Sequence, residues 1–178
     1  MTDVEKREQD KQRLNNVIKS LERVNEETNK TVISIAGGMN EMQIIVSFNQ
    51  VAKDLFNIMS RIIKETGREE CKTDGYKFLF DQAIKINAKL PIDKFTLLIL
   101  EYAAEIYRQD EDVFLNMTIP DAKVSVGNEF GIIRSEMFKK LWVTLDKKNK
   151  KILTDNVILL TTYAHAYLYK TISLSQNK

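Results

Sequence analysis

Apolar residues recur along this chain at steps of three and four, the spacing of helices, and strand-like alternation is confined to one short stretch. The first repeat follows a charged lead, since residues 1–13 mix both signs with almost nothing apolar. From Leu14 a narrow stripe runs through Val17, Leu21 and Val24, then weakens through Thr28, Thr31 and Ile35. Alternating threes and fours are the a/d spacing of a coiled-coil seam. Only the first two heptads are properly apolar, so the stripe reads equally as a seam for a partner or as a helix docked along the chain's own body. Leu14, Val17, Leu21 and Val24 are therefore the candidate protein interface, on a charged N-terminal helical arm spanning residues 1–36.

Gly37-Gly38 marks the clearest break, because each glycine costs a helix about 1 kcal/mol relative to alanine. Beyond it Met42, Ile45, Val46, Ala52, Leu55, Phe56, Met59, Ile62 and Ile63 trace a wide face. That predicts a core-facing helix over about 40–65, stopped by Gly67. Thr73 or Asp74 caps a third helix that carries Tyr76, Leu79, Phe80, Ala83 and Ile84. Pro91 suits the first turn of a fourth, with Phe95, Leu98, Ile99, Tyr102, Ala103 and Ile106 on one face. Residues 113–131 differ in texture: Pro120 and Gly127 interrupt them and Lys123 to Val126 alternates, so an irregular crossover with room for a short hairpin is expected. Helical spacing returns from Ile132 to Leu145. After a basic turn at Asp146 to Lys151, Thr154 or Asp155 caps a last helix over about 155–173, apolar on several sides. Thr161, Thr162, His165 and Lys170 interrupt its apolar run, which points to a central buried helix rather than a membrane span.

These elements predict an all-α bundle of five to six helices, with residues 37–178 as one helical-bundle domain. Its expected core is Phe56, Met59, Phe80, Leu98, Tyr102, Phe138, Trp142, Leu160 and Tyr167. The chain's 178 residues are 43% hydrophobic and 29% charged, enough apolar side chain for one ordinary domain. Cys71 is the single cysteine, which rules out an internal disulfide and a cysteine zinc site. No apolar leader opens the chain, so an intracellular protein is expected, cytoplasmic or nuclear. Lysine at 20 against arginine at 7, and isoleucine at 19 against 6 glycines, follow the codon bias of an AT-rich genome.

Candidate chemistry is sparse. His165 is the sole histidine, so acid–base or zinc chemistry built on histidine has to pass through it. Its setting among tyrosines and alanines reads as a core or groove histidine bonded to a neighbour. Glu69 and Glu70 beside Cys71 raise its thiol pKa and oppose nucleophilic use. Gly37-Gly38 completes neither a P-loop nor a dinucleotide motif. Asp110, Glu111 and Asp112 lack calcium-loop spacing. At a helix C-terminus their charge opposes the dipole, which suits an acidic patch that meets a basic partner. Lys147, Lys148, Lys150 and Lys151 form the matching basic patch. Charge divides by region: residues 65–116 carry 7 bases against 11 acids, a net −4, while residues 117–178 carry 10 against 5, a net +5. Such polarity steers docking.

No catalytic, cofactor or metal constellation can be named. The expectation is a non-enzymatic structural or adaptor protein that acts by protein–protein contact, with self-association or a protein partner engaged through the N-terminal helix. A component of a larger assembly such as a virion is one concrete form. The alternative is a nucleic-acid-associated protein that uses the basic 139–151 region, although a net charge of only +2 is modest for that class.

Overall fold

The computed structural model describes residues 2–67, 74–110 and 142–176. The crossover over 113–131, the expected helix from Ile132 as far as residue 141, and Cys71, Glu111, Asp112 and Phe138 lie outside these described residues, and residues 142–144 are helical as expected. The fold is all-α, and the described residues form helices and no strands. In chain order the helices are α1 (Asp3–Glu22), α2 (Glu26–Gly38), α3 (Glu41–Thr66), α4 (Asp74–Ile86), α5 (Leu90–Leu100), α6 (Ala103–Tyr107) and α7 (Lys147–Gln176).

Local chemistry sets most of the boundaries. Asn40 caps α3 in a reciprocal box, its Oδ1 accepting from the Gln43 N–H while the Gln43 side chain accepts from the Asn40 N–H, both at 2.8 Å. At the other end Gly67 stops the helix at φ 68°, a left-handed conformation that glycine adopts without a Cβ clash. Pro91 sits in the first turn of α5, where its missing N–H costs nothing.

Three boundaries differ from the pattern in the sequence. The stripe over 14–35 is two helices, because Asn25 accepts from the Thr28 N–H at 2.8 Å and starts α2 afresh. The expected fourth helix divides at Glu101 and Tyr102 into α5 and α6. The basic segment from Lys147 is helix rather than turn: Asp146 accepts from the Asn149 N–H at 2.8 Å, and Thr154 is buried inside α7 rather than capping it. Lysine is a good helix former, and Lys151 pairs with Asp155 one turn on at 2.8 Å.

Helices α3 and α7 run antiparallel along the bundle. The end of α7 lies by the start of α3, where Ala164, Ala166 and Tyr167 share a core with Ile44, Ile45 and Phe48. The start of α7 lies by the end of α3, where Leu153 joins Met59, Ile62, Ile63, Trp142 and Leu145. Helices α2, α5 and α6 also pack on α7, while α4 packs on α3 and α5. Of the expected core, Met59, Phe80, Trp142 and Tyr167 are buried, and Phe56, Leu98, Tyr102 and Leu160 are half-buried around it.

Polar ties fix the last third of α7 to its neighbours. Lys170 Nζ donates to the carbonyls of Ala36 and Met39 at 2.9 and 2.8 Å, which places a cation on the negative end of α2. Tyr167 Oη donates to Asp93 Oδ1 at 2.5 Å, joining α7 to α5. Burial first, and then the Asp93 carboxylate, hold that phenol above the usual tyrosine range. Among the described residues no helix is long and apolar enough to cross a membrane.

Truncation in this core should be costly. Ile44→Ala removes a side chain with no exposed surface and should lower stability by about 2–5 kcal/mol. Ile86→Ala, on the exposed face of α4, should stay within about 0.5 kcal/mol in the same urea titration.

Candidate functional site

The stripe Leu14, Val17, Leu21, Val24 is divided by the fold between two environments. Val17 is 0% exposed and Val24 is buried in the turn after α1, both within the main core, with Leu21 packed against it. Leu14 is exposed, as is Ile18 beside it at 47%. Hence the inner residues of the stripe meet the chain's own α5 and α6, and a partner is left the outer pair.

Anchorage of α1 is polar as well as apolar. Arg13 Nε pairs with Glu101 Oε1 at 3.3 Å, and Arg23 pairs with Glu105, one pair at each end of the docked surface. Between them Ser20, almost fully buried, accepts the Ala104 N–H at 3.2 Å. That N–H belongs to the first turn of α6, where no residue preceding it supplies a side-chain cap. A residue from α1 therefore satisfies the break between α5 and α6.

Before Arg13 the environment changes. Every residue from Thr2 to Gln12 is exposed on all sides of the helix, with Val4 at 68%. About three turns, or roughly 15 Å at 1.5 Å per residue, thus project from the body. The projecting end is well built. Thr2 Oγ1 accepts from the Glu5 N–H at 3.2 Å, Glu5 returns the bond at 3.1 Å, and Asp3 and Glu5 complement the helix dipole. A free helix this short is marginal in water, but here the docked turns have already met the nucleation cost.

The remaining candidates lie elsewhere. Lys147 and Lys148 are exposed at the first turn of α7, Lys150 lies over the Trp142 ring at 5.5 Å, and Lys151 is paired with Asp155. Trp142 is only 4% exposed, so its ring is a support for Lys150 rather than a stacking platform. Asp110 is exposed just past α6, whereas Glu111 and Asp112 lie outside the described residues.

His165 is 6% exposed at the junction of α6 and α7, its Nδ1 3.3 Å from Tyr107 Oη. The Thr162 side chain bonds the same phenol. Burial pushes His165 down to about 4 and Tyr107 up to about 12, so both are neutral at pH 7. Among the described residues no group of three or more His, Cys, Asp or Glu is placed to hold a metal ion. Ser20 and Glu105 are functional parts of the arm's anchorage that spacing alone did not single out.

Comparison with curated proteins finds a viral relative. The chain is 56% identical over 168 residues, 94% of its own length and 93% of the other's, to "Uncharacterized protein R465" of Acanthamoeba polyphaga mimivirus. No protein-family model and no solved structure matches.

Two measurements check this geometry. Ser20→Ala strands the buried Ala104 N–H and should cost about 1–3 kcal/mol in chemical denaturation. The His165 pKa is depressed in the folded state, so its contribution is present above the unfolded value near 6.5 and is lost as pH falls through about 4. Across that window this one group should remove on the order of 3 kcal/mol. His165→Gln should flatten the dependence by a comparable amount relative to the parent chain.

Proposed function

The chain belongs to the family of the mimivirus protein R465, and on that footing we propose that it is a non-enzymatic structural or adaptor protein. It acts by protein–protein contact, and the projecting start of α1 is its contact element. Self-association is the simplest form of that contact, and a component of a virion or a similar assembly is the concrete role that a viral relative favours.

One observation carries the reading: α1 is docked from Arg13 onward and wholly exposed before it. The exposed turns add no packing to the body, yet they are capped and continuous with a firmly held helix. An element that contributes little to its own fold, while held at a fixed angle, is suited to meet another surface. Val4 is the exposed apolar side chain of these turns, and Leu14 and Ile18 continue it on the outer face of the docked half. The mixed charges of residues 3–11, three cations and four carboxylates, provide a rim for register.

Light scattering coupled to size-exclusion chromatography tests this on the full chain and on a chain lacking residues 1–12. The shorter deletion matters, because removing residues 1–36 would also take Val17, Val24 and Val32 from the core. The full chain should gain mass with concentration. The shortened chain should remain monomeric with its melting temperature within a few degrees of the parent. Equal masses for the two at every concentration would contradict the proposal.

A further inference from the structure

Antiparallel packing of α3 and α7 gathers charge that is far apart in the sequence. The last turns of α3 and the first turns of α7 share one apolar cluster, built on Met59, Ile62, Ile63, Trp142, Leu145 and Leu153. Around that end stand Arg61, Lys64, Lys147, Lys148, Lys150 and Lys151, against Glu65, Asp146 and Asp155. Among the described residues of these turns, six cations against three carboxylates leave +3. Two of the three carboxylates are engaged within the patch, Asp146 at the α7 cap and Asp155 with Lys151.

The placement of the lysines is costly to the fold. Four lie in the first five residues of α7, and the first turn of that helix carries no acidic residue. The helix dipole adds about half a positive charge at the same point, so the lysines reinforce a field that sequences ordinarily offset. Removing them would relieve repulsion, which makes an external anion the natural counterpart.

We infer that this end of the bundle binds the phosphate backbone of double-stranded nucleic acid without reading its sequence. A ladder of phosphates meets several lysines at once, with no need for the matched geometry that an acidic protein surface would require. Lysine is a point-charge donor on a flexible stem, and it meets phosphate oxygens without requiring a fixed geometry. Single-stranded binding calls for exposed aromatic rings, and Trp142 is buried under Lys150. An anionic membrane calls for an apolar face beside the charge, and Val143 is the large exposed apolar residue that the described part of this end presents. None of these cations lies on α1, so this surface and the projecting arm stand or fall separately.

Fluorescence anisotropy of a labelled duplex of arbitrary sequence, titrated with the full chain at several salt concentrations, tests the inference. Binding should weaken linearly in log–log form, with a slope near −0.9 for each phosphate contacted. The Lys147→Glu/Lys148→Glu double variant should bind at least about tenfold more weakly, with a slope shallower by about two and a melting temperature no lower than the parent's. Lys30→Glu/Lys85→Glu, at exposed positions of α2 and α4 outside both surfaces, makes the same change in net charge and should stay within about twofold of the parent, as screening predicts for remote exposed charge. No binding at low salt, equal loss from both double variants, or binding of anionic vesicles in place of the duplex would overturn it.

Discussion

The rest of this structure depends on the burial of α7. A helix with apolar residues on several sides cannot sit on a surface, and it is satisfied only when other helices enclose it. Here α3 lies antiparallel along it, with α2, α5 and α6 packed against its second half. Ala164 and Ala166, both without exposed surface, let neighbours approach closely. Thr161 and Thr162 return their hydroxyls to the carbonyls of Val157 and Ile158 at 2.7 Å, so the polar residues that interrupt the run are satisfied within the helix. His165 is accommodated in neutral form against Tyr107.

From that enclosure follows the division of α1. Helices α5 and α6 are held on α7 and offer a finite platform, long enough for Arg13 to Val24 and no longer. Ser20 and the two arginine–glutamate pairs fix the docked half. What precedes Arg13 extends beyond the platform. The proposed contact function rests on this asymmetry, a helix whose second half belongs to the fold and whose first half does not. The basic end, by contrast, follows from the antiparallel pairing of α3 with α7 and involves no part of α1.

The sequence made the limits of α3 legible, because its cap at Asn40 and its stop at Gly67 are local signals, but the first turns of its face were read out of phase: Met42 and Val46 are exposed, while Ile44 and Phe48 enter the core. Pro91 was equally plain. The break at Glu101 and Tyr102 was not legible, since no proline or glycine marks it and the side chain that satisfies it, Ser20, lies 84 residues away. Asn25 was overlooked as a cap because it sits inside a stripe that continues in phase across it. The lysines after Asp146 suggested a turn by their charge, although their helix propensity pointed the other way. Spacing identified Val17 and Val24 as one face but could not say that the face would be met by the chain itself. Arg61 and Lys64 joined the basic patch only through tertiary packing.

Hydrogen–deuterium exchange along α1 in the dilute, monomeric full chain is the most direct test of the half-docked arm. Amides of Lys6 to Gln12 should exchange far faster than those of Val17 to Glu22, whose opening requires the α1 surface to leave α5 and α6. At concentrations where the chain associates, the first group should become protected while the second changes little. Uniform protection along α1 in the monomer would mean that the arm is already occupied by its own chain, and would contradict the account.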